Sequence, residues 1–244
     1  MPQTKRASQQ ELEIFTTRLR ESAGDNLISL MLYGSAASGE ADNYSDLNLL
    51  CVLRDLSFLH LVPLSKVIRW WTRQKQRPPL LMSEKELRAS TDVFSIELID
   101  MKQHHKVLFG KDLLAELEIP MRSHRAQLEY ELREKLILLR QRLLAAAEDE
   151  GRILDLLLHS VPAFITLFRH VLIAQGRTPP VTRSETLKML ILHSGTDAEL
   201  FQQLLEARKD PKAEKRLAVK EAARQYLAFA ERLTEMVDGL PNSR

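Results

Sequence analysis

Residues 32–50, LYGSAASGEADNYSDLNLL, decide the fold of the first half of the chain. An apolar run, 27–33, ends in a turn of small residues, and a second apolar run begins at Leu47. Both runs have the length and composition of buried strands. Side chains two residues apart in a strand point to the same face. We therefore expect Asp46 and Asn48 to project side by side, while Leu47 and Leu49 enter a core.

The turn after the first strand has the features of an anion site. Gly34 and Ser35 lie where the strand passes into a short helix, and N–H groups at a helix start can bind phosphate oxygens. Asp46 then brings a carboxylate, which is a ligand that Mg²⁺ accepts. The stretch thus predicts a phosphate cradle beside the start of a metal-ligand pair.

Length and composition allow a soluble protein with a proper core. The 244 residues permit one large domain or two of ordinary size, and 44% of them are hydrophobic. The net charge of +2 argues neither for nor against a nucleic-acid partner. The single cysteine, Cys51, is expected to pack as a small apolar side chain. No signal peptide and no bilayer-spanning run is recognised, so we expect a cytoplasmic protein without a membrane partner.

The first half reads as alternating helices and strands. Helices are expected at 11–22 and 57–76, and a capping box of Ser83 and Glu86 opens another. Strands are expected at 27–33, 46–53, 80–82 and 92–100, and 107–110 is a short strand or turn.

The second half reads as helices only, at 123–149, 152–176, 183–194, 197–208 and 212–238. Pro162 predicts a kink or a break in the second of these helices. The fold class is α+β, a small mixed sheet with flanking helices followed by an all-α bundle. We predict two domains, residues 1–118 and 119–244.

The segment 69–77, RWWTRQKQR, mixes basic and aromatic residues. Such a mixture can bind nucleic acid by phosphate contact and stacking. Basic residues also complement the dipole at a helix end, and we favour this interpretation.

Tyr33-Gly34-Ser35, ten residues, and then Asp46-Leu47-Asn48-Leu49 resemble the signature of the nucleotidyltransferase (DNA polymerase β-like) superfamily. The pattern of a small catalytic domain before a helical bundle is similar to the kanamycin nucleotidyltransferase and minimal nucleotidyltransferase groups. The resemblance covers about residues 11–115, and beyond them it is only architectural.

The resemblance implies a chemistry. Two carboxylates hold Mg²⁺ ions that bridge a nucleoside triphosphate, and a third carboxylate on a later strand activates a hydroxyl acceptor. Gly34 and Ser35 would bind the phosphates, and Asp46, Asn48 and Glu97 would be the metal ligands. Asp46 and Glu97 would be catalytic, with Asp100 the alternative to Glu97 if its segment is helical.

Asn48 departs from that signature, which has Asp or Glu here. An amide can bind Mg²⁺ through its oxygen but brings no charge. Three interpretations stay open: an active transferase, a nucleotide-binding relative without turnover, and a non-enzymatic interaction or regulatory protein. We favour reduced or lost catalysis. The acceptor would be a small molecule, a protein or an RNA end, and a homodimer is a further candidate.

Two histidine patterns provide weaker alternatives. Arg152 and His159 have the spacing used by HEPN-type helical ribonucleases, but we favour a core or interface histidine. Adjacent His104 and His105 point in different directions, so a shared metal is not expected.

Overall fold

The computed structural model describes residues 9–41, 45–178, 182–194 and 198–240. The chain divides into two compact units, Met1–Pro120 and Met121–Arg244, which we call the sheet unit and the helical unit.

The sheet unit is built on four strands: β1, Leu27–Tyr33; β2, Asn48–Leu53; β3, Leu80–Ser83; and β4, His105–Gly110. Their order is β3-β2-β1-β4. β1 is antiparallel to β2 and to β4, whereas β2 and β3 are parallel. The predicted mixed sheet is confirmed, and β1 has the predicted bounds.

Within the described residues, eight helical segments accompany these strands. Longer helices are α1, Gln9–Ala23; α4, Ser65–Arg73; and α6, Ser95–Gln103; shorter ones are α2, Ser35–Ser38; α3, Phe58–Leu61; and α5, Glu84–Ala89. Short 3-10 helices occur at Gly24–Asn26 and Val62–Leu64. The predicted capping box is present, since Glu86 N–H donates to the Ser83 hydroxyl at 3.1 Å and Ser83 N–H donates to Glu86 at 2.8 Å.

Apolar clusters cover both faces of the sheet, because alternate strand residues point to opposite sides. Leu49, Cys51 and Leu53 of β2 pack with α1 and α4, and Leu50 and Val52 pack with α5 and α6. Cys51 is fully buried, as expected, and this burial raises the pKa of its thiol to about 12.

Two predictions for this unit are wrong. The helix expected at 57–76 is divided by the 3-10 turn and ends at Arg73. The strand expected over 92–100 is instead α6. Its short apolar run fits the residue spacing of a strand as well as that of a helix. The helix buries Ile96, Leu98 and Met101, while Phe94 stays exposed.

The helical unit begins with a 3-10 turn, Met121–Ser123, and then contains α7, His124–Ala146; α8, Glu150–Ala174; α9, Arg183–Ser194; α10, Ala198–Ala207; α11, Pro211–Glu214; and α12, Val219–Asp238. Within the described residues of this unit, the prediction of helices only is confirmed. The last helix, expected over 212–238, is divided between α11 and α12.

Pro162 does not break α8, which contradicts one of the two outcomes expected for it. A proline cannot donate to the carbonyl four residues before it, here that of Leu158. The guanidinium of Arg208 donates to this oxygen instead, and Arg208 is only 3% exposed. A buried side chain thus replaces the missing backbone hydrogen bond.

α8 also corrects the expectation that no segment is long and apolar enough to cross a membrane. It has the length and composition of a span, with a mean hydropathy of 1.7 over its most apolar window, but 61% of that window is buried. Phe164 and Phe168 are among its buried side chains, and Phe164 packs edge-on against Tyr226 of α12. The apolar composition is therefore used in the core of the helical unit.

Candidate functional site

The turn after β1 has a backbone that suits glycine. Gly34 has φ +75° and ψ −154°, a combination that other residues adopt only with strain. Its N–H donates to the His104 carbonyl at 3.1 Å, and its own carbonyl accepts from Ala37 and Ser38. These bonds tie the start of α2 to the residue that precedes β4.

Asn48 lies against this turn. It is the first residue of β2 and pairs with Tyr33 at the end of β1. A Cβ placed on Gly34 would lie 3.4 Å from Nδ2 of Asn48. The structure therefore brings together the Gly34 turn and Asn48, two of the features that the sequence predicts as one site.

Asp46 precedes β2 and is engaged by a residue that the sequence did not reveal. Nε of Arg77 lies 2.8 Å from Oδ2 of Asp46, and the Asp46 side chain is 20% exposed. The expected strand geometry does not extend to Asp46, since β2 begins at Asn48. The carboxylate proposed as first metal ligand is thus half of an ion pair.

Arg77 does not lie at a helix end, so the dipole interpretation of segment 69–77 fails for it. α4 ends at Arg73, and Lys75 turns the chain with φ +61°. The indole N–H of the fully buried Trp71 donates to the Arg77 carbonyl at 2.9 Å. No sequence signal connects residues 46 and 77, because only the folded chain brings them together.

Charges of both signs act on Tyr33, the residue before the Gly34 turn. Burial raises the pKa of its phenol, the charge of Arg77 opposes this, and the charge of Glu97 adds to it. Both charged groups therefore lie close enough to act on Tyr33. Sequence reasoning identified Tyr33 as a strand end but gave it no role in the site.

The third carboxylate is not on a strand. β3 has the sequence LLMS and β4 has HKVLFG, so neither later strand carries an acid. Glu97 and Asp100 both lie on α6, where residues three apart share a side. The strand placement of Glu97 is wrong, but its charge contributes to raising the pKa of Tyr33, the residue before the turn.

These donors do not fit a site for two divalent ions. Within the described parts of the chain, no three His, Cys, Asp or Glu side chains are placed to share a metal. Asp46 already pairs with Arg77, and Asn48 is neutral. A single Mg²⁺ would need further ligands from a bound phosphate, which is how proteins commonly hold this ion.

The histidine patterns have local partners. His105 contacts Asp112 at 2.8 Å and the Met101 carbonyl at 3.0 Å. Arg152 pairs with Asp149 at 3.2 Å, and Nδ1 of His159 contacts the Asp155 carbonyl at 2.6 Å. His159 is exposed, so the core part of the expectation is wrong, and an interface position stays a prediction.

Comparison with known proteins supports the fold. A crystal structure of a spectinomycin adenyltransferase from Enterococcus faecialis, solved with ATP and spectinomycin, is similar with a TM-score of 0.61. The match covers 95% of this chain and 100% of the other at 14% identity. This chain has the nucleotidyltransferase fold.

Sequence comparisons add no family assignment to this fold. No family model matches the chain, and no curated protein matches it. The nucleotidyltransferase fold predicted from the residues around Gly34 and Asp46 is therefore confirmed by structure alone. The site residues, the domain bounds and the homodimer stay predictions.

Proposed function

We propose that this protein binds a nucleoside triphosphate at the turn of Gly34 and Ser35, and that nucleotidyl transfer to a hydroxyl acceptor is reduced or lost. The observation that supports this most is the placement of Asn48 against the Gly34 turn, beside the Arg77–Asp46 ion pair. The similar fold of an adenyltransferase solved with ATP also supports it.

In this proposal the turn holds the phosphates. Gly34 has no Cβ, so phosphate oxygens can approach the backbone closely. The N–H groups at the start of α2 and the Ser35 hydroxyl are hydrogen-bond donors of the kind that phosphate accepts. A single Mg²⁺ carried by the nucleotide would neutralise phosphate charge, and Asp46 would be the carboxylate that faces it.

The weak catalysis follows from the missing charges. Two-ion displacement needs carboxylates that hold both metal ions, whereas Asn48 is neutral and β3 and β4 carry no acid. Glu97 is the candidate that would accept the proton of an acceptor hydroxyl, and Asp100 is its alternative. The acceptor would be a small molecule, a protein or an RNA end.

Nucleotide-dependent thermal stabilisation tests the proposal. Each common NTP with Mg²⁺ is added, and the preferred one should raise the melting temperature by about 3–5 °C at saturation. Asp46→Ala should reduce this shift. Asp25→Ala removes a carboxylate from the same unit and should keep it. Absence of binding of every NTP with Mg²⁺ or Mn²⁺ would contradict the proposal.

A non-enzymatic interaction or regulatory role is the second candidate, favoured by the ion pair that engages Asp46. It predicts that Asn48→Asp creates no transfer activity, measured as pyrophosphate release from the preferred NTP with candidate acceptors. A clear gain of activity in this variant would count against it.

The ribonuclease alternative gains no support. Arg152 pairs with Asp149 close to the start of α8, and His159 contacts a carbonyl of its own helix. Each side chain has a local role that explains its position without a scissile phosphate.

A further inference from the structure

We propose that Arg77 supplies the positive charge that binds the triphosphate, so that nucleotide binding at this site does not require a divalent ion. The inference rests on the proposed nucleotide site and assigns its main cation to the protein itself. It starts from the contact of Nε of Arg77 with Asp46 at 2.8 Å.

The backbone of Arg77 is held in place. Trp71, which is fully buried, donates its indole N–H to the Arg77 carbonyl at 2.9 Å. Lys75 N–H donates to the Thr72 carbonyl at 2.9 Å and closes the turn after α4. Pro78 and Pro79 follow, and each fixes its own φ. A side chain on so constrained a segment loses less freedom when it binds a ligand.

The guanidinium can hold Asp46 and a phosphate together. Its contact with Asp46 uses Nε, and the Arg77 side chain is 73% exposed. A guanidinium has five N–H donors in a planar fork, which suits bidentate binding of phosphate oxygens. The Asp46 carboxylate thereby orients Arg77, and the other N–H donors of the guanidinium are open to solvent.

The surrounding charges favour such a protein cation. Asn48 replaces a carboxylate, so fewer negative charges need compensation than in a site with three acids. Asn48 therefore does not repel an incoming phosphate, and Arg77 can serve where a metal ion would otherwise be needed.

Binding of a fluorescent ribose-labelled ATP tests the inference in excess EDTA and in excess MgCl₂. The wild-type full chain should bind with affinities within about threefold in the two buffers. Arg77→Gln should lose about tenfold or more in EDTA, since charge-assisted bonds to phosphate are strong. Because the Trp71 bond uses backbone atoms of residue 77, the variant should melt like the wild type.

Two further variants separate the position of residue 77 from its charge. Arg73→Gln makes the same charge change at the exposed end of α4 and should bind like the wild type. Arg77→Lys keeps the charge without the fork and should recover part of the affinity. Binding by the wild type only in MgCl₂, or equal binding by Arg77→Gln and Arg73→Gln, would overturn the inference and leave the proposed nucleotide site standing. Absence of binding in both buffers would instead overturn the nucleotide site itself.

Discussion

The sheet unit and the helical unit place their polar groups differently. In the sheet unit, Tyr33, Asn48 and Asp46 gather at strand ends and remain partly accessible. In the helical unit, His124 and His170 are at most 1% exposed and bond each other at 2.8 Å. The two histidines thus satisfy each other, while the groups of the sheet unit are accessible to the ligand that we propose.

Polar groups that bond each other inside a core stabilise the fold, whereas accessible polar groups can bind a ligand. A buried polar group without a partner costs free energy, so a core retains such groups mainly as bonded pairs. Arg208 and the Leu158 carbonyl form one such pair in the helical unit. The Arg77–Asp46 pair of the sheet unit contains a 73% exposed arginine, whose remaining N–H donors can bind an anion while Nε stays on Asp46.

The largest expected effect concerns the backbone of the sheet. Gly110 ends β4 with φ +79°, and a Cβ there would overlap the Ile28 carbonyl. Gly110→Ala should lower the free energy of unfolding by about 3–4 kcal/mol, because a backbone clash adds to an unfavourable φ. Urea unfolding followed by circular dichroism measures this.

Gly24→Ala is the matched control. Gly24 also has a positive φ, but nothing lies within 4 Å of its added Cβ. Its cost should stay near 1 kcal/mol, because an L residue in the left-handed region costs only roughly 1–2 kcal/mol. Equal losses in the two variants would mean that β4 does not approach β1 closely at Gly110.

The next effect tests the buried pair of the helical unit. Arg208→Met should cost about 2 kcal/mol, because it leaves the Leu158 carbonyl buried without its donor. Pro162→Ala restores a backbone N–H that can bond this oxygen. It should therefore recover about 1 kcal/mol more in the Arg208→Met variant than in the wild type. Strict additivity in urea unfolding would show that Arg208 does not compensate for Pro162.

The smallest effect is a pH dependence in the sheet unit. Burial raises the pKa of Asp112, but bonds from Ala115 and His105 outweigh it, so the folded pKa lies below the ordinary value. Its stabilisation is thus complete above about pH 4 and is lost as the pH falls through the folded pKa. Asp112 is 43% exposed, so the contribution should be a few tenths of a kcal/mol.

Asp112→Asn should lower stability at neutral pH and flatten its decline below about pH 4. Asp25→Asn, which changes an exposed carboxylate of the same unit, should leave that acid slope unchanged. The readout is the melting temperature across the acid range, and an unchanged slope in Asp112→Asn would contradict the role of the His105 contact.

Local patterns predicted much of this molecule. The apolar run of β1, the Gly34 turn and the capping box at Ser83 depend on neighbouring residues, and each is present. The prediction of a strand over 92–100 was wrong because its short apolar run fits the spacing of a strand and of a helix. Met101 lies beyond the end of this run, and its burial favours the helix.

Contacts between distant residues were beyond such patterns. The Arg77–Asp46 pair and the Arg208 bond to Leu158 each join segments far apart in the chain. Each also changed the interpretation of a residue that was recognised locally. Asp46 is half of an ion pair, and α8 accommodates Pro162 because Arg208 bonds the Leu158 carbonyl.

We propose that this site keeps the phosphate turn of the nucleotidyltransferase fold and has lost its capacity for two metal ions. Counting Mn²⁺ bound per chain in the presence of a non-hydrolysable ATP analogue, by electron paramagnetic resonance of the free ion, tests it directly. The wild type should bind at most one ion with the nucleotide, and Asn48→Asp should strengthen metal binding. Two tightly bound ions in the wild type would contradict the claim.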